Sequence, residues 1–505
     1  GWRGQLMFVG LDIGTSGTKA ALLDAKGQVL CSHQVSYGFS NTAKGYRELD
    51  AEEVWRAAKC CLAKVGHGQE VRTISVSALG EAIVFLDADG RVMAPGITGT
   101  DVRGTEELAK LREQFSEHHL VDVTGQNLSV IYSANKILWV KNHRRELYEQ
   151  AWKILTFQDF ILYRLSGECR IDYSMACRTL FFDIDTMDWS EPLLEGMGIS
   201  REKLAVPCAA GTVVGTLRNS LAEELGLQSG VKIVTGTHDH ICNAIGSGVC
   251  EAGDCANTVG TTEGLTAVVR RSELTTENIE KYQISCEPFA VPGLYNTVAW
   301  NNTSGVLLRW FATEFVKEKR PEQLLETFAE LNGSMKEEPT SLLVLPHFSG
   351  AATPYMDTDS LGAILGLTLD TRREDIYKAL MEGANLELAL ILESLLHAGM
   401  QPRKIIATGG ALSPQLLQIK ADVLGLPVWT VKNRQTGTLG GAMLGAVADQ
   451  KFSTVKEAAE AMVMLDAVYE PDAGRSAVYK EKKEIYRRLY PSICEISHAM
   501  IAMRK

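Results

Sequence analysis

Two short turns of the same make-up recur in the chain, Gly14-Thr15-Ser16 and Gly260-Thr261-Thr262, each set between β-rich apolar runs. A glycine–hydroxyl turn between strands exposes backbone N–H groups and hydroxyls, and such a nest takes phosphate oxygens. A single copy is more often just a hairpin. Two copies about one domain apart, the first preceded by Asp12, point to a polyphosphate gripped from both sides. A third segment, Ile405–Ala411, runs from a strand-like stretch into Gly409-Gly410. Glycine there lets a flat ligand or a phosphate approach the backbone, although an ordinary strand-to-helix turn has the same composition. Asp239 follows the buried-strand pattern Val231–Thr235 and stands between His238 and His240. It reads as a helix-capping carboxylate or as a group that does chemistry. The His-Asp-His run invites a metal reading. Consecutive side chains diverge on any regular element, however, and no further ligand is evident nearby.

These residues need elements to hold them. Met7–Ile13, Lys19–Leu23 and Gln28–Val35 read as three strands joined by tight turns. A helix over Ala51–Val65 and a strand over Thr73–Ala78 follow, giving the order β-β-β-α-β. Near residue 250 the pattern restarts with strands Asp254–Val259 and Leu265–Val269 around the second turn. Between the repeats, Ile83–Leu86 and Val92–Ile97 suggest a hairpin, and Glu106–Phe115, Ser133–Asn142 and Gln158–Leu165 suggest helices. Downstream, Ile376–Ala398 is a long apolar helix, Gln415–Leu424 a shorter one, and Ser476–Met503 a single amphipathic helix. Thr438–Ala448, rich in glycine and alanine, predicts a helix able to pack closely against another element. No low-complexity linker interrupts the chain, so two closely packed units are expected, 7–250 and 251–505.

Composition narrows the partners. The 505 residues carry a net charge of −11, with 45% hydrophobic and 22% charged side chains. That balance fits a globular protein and gives no basic footprint for nucleic acid or an anionic membrane. Any phosphate must therefore be held locally, by amides, a few cations or a metal. No apolar stretch reaches the roughly 18–20 residues of a membrane span. Residues 1–6 lack a signal-peptide pattern and read as a short extension. Eleven cysteines, without disulfide-scaffold spacing or a CxxC, point to a reduced, cytoplasmic compartment.

Phe8–Lys19, Gly236–Gly246, Gly260–Glu263, Gly362–Glu382 and Thr408–Pro427 together resemble the FGGY family of carbohydrate kinases. Smaller matches lie at Asp159, Asp172 with Ser174, and Leu439–Ala442. They run in family order over about residues 8–450. The resemblance implies an α/β fold of two actin/hexokinase-like (ribonuclease-H-like) domains around a cleft. It implies transfer of the γ-phosphoryl group of ATP, with Mg2+, to a sugar or polyol hydroxyl. Asp239 matches the family's catalytic base and Asp12 the acid near Mg2+ and the phosphates, with Asp239 also beside the metal. Thr15, Ser16, Thr18, Lys19, Gly260, Thr261, Gly305, Gly409 and Gly410 fall at ATP-site positions. Homodimers are frequent in such families.

Substrate positions depart from the family's patterns. Where xylulose kinases tend to carry Met-His and glycerol kinases Arg-Glu, this chain has Gly80-Glu81. Glu81 suits a pair of hydroxyls. Asp101, Arg103 and His240 are further substrate-side candidates; Asp101 and Arg103 read equally as an ion pair at a helix start. Gln435 stands where an acid is expected, and Pro414 near an adenine-contacting position. The expected substrate is a ketopentose such as xylulose. Glycerol, erythritol or gluconate, or a weakly active sugar- and nucleotide-binding sensor, are the alternatives.

Overall fold

The computed structural model describes residues 6–42 and 44–504. The extension read over residues 1–6 lies outside them except for Leu6. Met7–Ile13 is buried along almost its whole length, which explains its unbroken apolar pattern. It pairs antiparallel with Gly17–Asp24, and that strand with Val29–Ser36. On its other side it runs parallel to Val71–Ala78 and, beyond it, Lys232–His238; Val213–Thr216 closes the edge antiparallel.

The second sheet repeats this plan. Asp254–Val259 pairs antiparallel with Glu263–Val269, and that strand with Tyr295–Asn301. On the other side lie parallel Lys404–Thr408 and Val428–Val431, then antiparallel Leu465–Tyr469. Each half is thus a three-stranded meander extended by two parallel strands. The predicted α/β repeat is present, with Tyr295–Asn301 completing a meander of which only two strands were legible. A smaller five-stranded sheet includes Arg47–Leu49, Ile83–Leu86 and Lys153–Thr156. The expected hairpin arm Val92–Ile97 is a strand only at Gly96–Ile97, with Val92 in an isolated bridge. Pro95 has no N–H to give a ladder.

The small-residue helix, Thr436–Ala448, belongs to the C-terminal half but packs on the first sheet and on helix Asp239–Gly246. A Cβ on Gly440 would lie 2.1 Å from the Cys242 carbonyl, and one on Gly10 1.9 Å from the Thr438 carbonyl. Only glycine allows this backbone-to-backbone approach. Phe8, Leu23, Ile241 and Ile245 share one apolar cluster with Ile406, Val431 and Leu439, so the packing of the two halves is continuous. The single C-terminal helix is corrected to two, Ala473–Tyr486 and Leu489–Ala502. Pro491 lacks the N–H that a continuous helix would need, and it sits instead in the first turn of the second helix. Among the described residues no helix is long and apolar enough to cross a membrane.

Gly440→Val will destabilise the protein by about 3 kcal/mol or more, because carbonyl backbone cannot yield. Gly333→Ala, in helix Pro321–Ser334 with open space around it, will stabilise it by about 0.5 kcal/mol. Urea denaturation of both variants checks the pair.

Candidate active site

Asp239 is placed by the change from strand to helix. Lys232–His238 ends and Asp239–Gly246 begins at this residue. Ser174 fixes the junction: its hydroxyl accepts the His238 N–H at 2.8 Å and donates to buried Asp172 at 2.6 Å. Because the three residues span two elements, their side chains converge, contrary to the expected divergence. The ligand-capable atoms of His238, Asp239 and His240 all lie within 4.8 Å of one another. His238 Nε2 is 3.3 Å and His240 Nε2 3.8 Å from Asp239 Oδ1, which also accepts the His240 N–H at 2.7 Å. Burial drives His238 down to about 4, so it is neutral at pH 7. Burial also favours the neutral acid at Asp239. The His240 and His238 rings, the His240 amide and Arg178 outweigh it and hold that carboxyl below its ordinary value. Asp239 is therefore an anion at neutral pH.

Asp12, on the first strand, faces the opposite situation. Burial and the nearby Asp239 charge push its carboxyl up to about 7, against the lowering effect of Ser77 and Lys19. Ser77 Oγ donates to Asp12 Oδ1 at 3.3 Å, and Lys19 is its cross-strand partner. The other oxygen lies against the first turn of helix Thr436–Ala448: a Cβ on Gly437 would be 3.2 Å away. Thr436 in that turn donates to Asn243 at 3.1 Å.

A cleft of about 340 Å3 is lined by Thr15, Gly80, Glu81, Arg178, Asp239 and His240, with Arg47, Thr98 and Thr100 also on its wall. Five residues chosen from sequence thus come together. Arg178 was not among them. It sits in the 3-10 turn Cys177–Thr179, 97 residues beyond Glu81, and no spacing signal links the two. Glu287, which also bonds Arg178, was likewise invisible. Burial raises the Glu81 carboxyl, with Arg178 opposing.

The second hairpin forms its own cluster. Gly305 N–H donates to the Gly260 carbonyl at 2.9 Å and Ser304 N–H to the Thr261 carbonyl at 3.0 Å. Gly409, at φ 115°, packs where a Cβ would meet the Val259 carbonyl at 2.2 Å. Gly260, Thr261, Gly305 and Gly409 therefore meet around one strand end. Gly409 and Gly410 line a second cavity of about 210 Å3 with Ser413 and Arg434. Below the hairpin, fully buried Lys420 pairs with Glu263 and donates to Asn385 at 2.7 Å. Ser304 Oγ donates to the other Glu263 oxygen at 3.1 Å. Pro414 is explained locally: it opens helix Pro414–Leu424 behind the Ser413 cap.

Three sequence candidates have other occupations. Thr18 is fully buried, with its hydroxyl 3.0 Å from that of Tyr37. Asp101 and Arg103 are buried and satisfy one another, with Arg103 Nε donating to Asp101 at 2.8 Å. Arg103 also pairs with Glu48 at 2.9 Å and lies over Tyr46 and Trp139. This is a buried clamp, not part of the cleft lining. Lys19 faces Asp12, and Ser16 stays exposed on the first hairpin.

Comparison with known proteins settles the lineage. Residues 7–246 match the N-terminal domain, and residues 255–448 the C-terminal domain, of the FGGY family of carbohydrate kinases. The chain belongs to that family. As an FGGY carbohydrate kinase it phosphorylates a sugar at the expense of ATP, with a divalent metal ion. It is 27% identical to the xylulose kinase of Bacillus subtilis (strain 168) over 98% of this chain and 99% of that protein. Solved structures of the gluconate kinase from Lactobacillus acidophilus and the xylulose kinase from Rhodospirillum rubrum share its fold. Both have a TM-score of 0.88 and 24% identity over 97% of this chain, covering 98% of the former and 100% of the latter.

The residues of this FGGY kinase suit a divalent cation. Two carboxylates close enough to repel, one raised toward neutrality, are a donor set that a hard cation relieves. Asp12 and Asp239 would hold it. A carboxyl whose folded value lies above the unfolded one adds stability at low pH and loses it as pH rises through the folded value. In metal-free buffer, Asp12→Asn will therefore be more stable than wild type at pH 7.5, by on the order of 2–4 kcal/mol. The gap will close as pH falls toward 4. Denaturation at several pH values in EDTA checks this.

Proposed function

We propose that this kinase phosphorylates a ketopentose such as xylulose, with Mg2+ as the cation and Asp239 as general base. The observation that carries the base assignment is an ionised Asp239 on the wall of a cleft it shares with Glu81 and Arg178. The xylulose kinase relatives support the ketopentose. In this reading the N-terminal unit, 7–250, mainly holds the sugar and the C-terminal unit, 251–505, mainly holds ATP. Glu81 accepts sugar hydroxyls, and His240 borders them. Asp239 takes the proton of the attacking hydroxyl as it closes on the γ-phosphorus. Thr15 and Ser16 on one hairpin and Gly260 and Thr261 on the other hold phosphate oxygens through amides and hydroxyls, with Lys19 adding charge. Gly305, Gly409 and Gly410 leave backbone open to the nucleoside. Asp12 and Asp239 would hold the cation, which would supply charge neutralisation for the transferred group. Phosphoryl transfer asks the protein for alignment and electrostatics more than covalent chemistry. Eleven unpaired cysteines suit a reducing, cytoplasmic setting.

A sugar acid is the second reading, and Arg47 favours it. Arg47 lines the same cleft, its side chain donates to Thr100 at 3.4 Å, and it pairs with no carboxylate among the described residues. A carboxylate at the far end of an aldonate would meet it. ADP release across ketopentoses, aldonates, tetritols and hexuloses separates the readings: turnover best with D-xylulose supports the first, and turnover only with aldonates replaces it. Asp239→Asn will lower kcat by about 10^3-fold while ATP still binds. Near-wild-type turnover in that variant would remove Asp239 as base.

A further inference from the structure

Residue 80 has no side chain, and the space one would fill is already taken. A Cβ on Gly80 would lie 2.8 Å from His238 Nε2 and 3.3 Å from Arg178 Nε. Arg178 thus delivers a guanidinium to the cleft wall next to Glu81. Two of its nitrogens clasp Glu81 Oε1, and its third, Nη1, donates to Glu287 Oε1 at 2.7 Å. The guanidinium lies over the Tyr132 ring at 5.5 Å. Tyr132 donates to Gln126 Oε1 at 3.0 Å, and the Gln126 amide reaches the same Glu287 oxygen at 3.5 Å. The network is buried: side-chain exposure is 13% for Arg178, 12% for Glu81 and 0% for Glu287.

Two features make this more than an ordinary buried ion pair. Glu81 holds φ at 65°, a backbone conformation that L-residues rarely adopt, so its carboxylate is turned toward the cleft against local preference. Its Oε1 is consumed by Arg178, while Oε2 lies against Gly99 on the same cleft wall, where a Cβ would come within 2.9 Å. Glu287, in turn, does not line the cleft. It belongs to the second sheet, on strand Glu287–Pro288, and its other oxygen has no partner. One cation thus ties a cleft carboxylate of the first half to a carboxylate of the second.

We propose that Arg178 is the positioning residue of the sugar pocket: passing over side-chain-free Gly80, it fixes the Glu81 carboxylate for a pair of substrate hydroxyls and, through Glu287, makes that fit depend on the C-terminal half. The proposal rests on the reading of this cleft as the sugar site. A guanidinium fork pre-orders a carboxylate as a point charge cannot. Loss of the fork leaves Glu81 free to rotate, which weakens sugar binding and leaves the nucleotide contacts alone.

The test is steady-state kinetics on the full chain, with ATP and D-xylulose, or with the best acceptor of the panel above if that is another sugar. Removing Arg178 alone would leave two buried carboxylates unpaired, so the main variant is Arg178→Met combined with Glu287→Gln, which keeps the net charge. It will raise the sugar KM about 20-fold or more and leave the ATP KM within twofold. Glu287→Gln alone will raise the sugar KM about fivefold although it touches no cleft surface, and Arg178→Lys will recover only part of the loss. An unchanged sugar KM in the double variant, or equal loss in sugar and ATP KM, overturns the role of Arg178. A wild-type protein that phosphorylates no acceptor overturns the functional reading beneath it.

Discussion

Burial of the Asp12 carboxyl beside the charge of Asp239 sets the terms for the rest of the site. Each carboxylate alone would be pushed outward to water by its desolvation cost. Here one sits near the end of a strand and the other at the start of a helix. The glycine-packed helix Thr436–Ala448 presses against both elements at once and brings its first turn to Asp12. The two acids respond differently because their neighbours differ. Asp239 has imidazoles and an amide and stays ionised; Asp12 has a hydroxyl and one lysine and rises to about 7. A divalent ion held by such groups would relieve the repulsion and would supply charge neutralisation for a transferred phosphoryl group.

The two hairpins arise by duplication. Each half offers a hairpin after its first strand, built on a Gly-Thr turn with exposed hydroxyl residues. The halves are not interchangeable. The first carries Asp12 and the cleft with Glu81, whereas the second anchors its hairpin on the buried Lys420–Glu263 pair and on the glycines at 305 and 409. Rigid support below the second hairpin fits a grip on phosphate, where a fixed set of amides is worth more than a mobile one.

Local signals explain what was legible in the sequence. Strand patterns, the two Gly-Thr turns and the close-packing helix all follow from residue types within short windows, and the corresponding elements fall within a few residues of expectation. Of the cleft residues, Thr15 was legible from its glycine–hydroxyl turn and Asp239 from its place after a buried strand, whereas Gly80, Glu81 and His240 were picked out by the resemblance to the family. Arg178 and Glu287 were not. Their partnership joins segments far apart in sequence, and a lone arginine after a buried turn carries no periodic signal. Asp101 and Arg103 were read in sequence equally as substrate-side residues and as an ion pair at a helix start, and the structure closes that ion pair. The convergence of His238, Asp239 and His240 was missed for a related reason, since the divergence rule holds within an element and fails at a junction between two.

The account turns on a cation completing the Asp12–Asp239 pair, and proton release reports that directly. Mn2+ added to the nucleotide-free protein at pH 7, followed calorimetrically in buffers of different ionisation enthalpy, measures protons released per ion bound. With burial and the Asp239 charge pushing the Asp12 carboxyl up to about 7, ion binding should release part of a proton, and that release should be lost in Asp12→Asn. Binding with no proton release in wild type, or with the same release in the variant, would contradict the account.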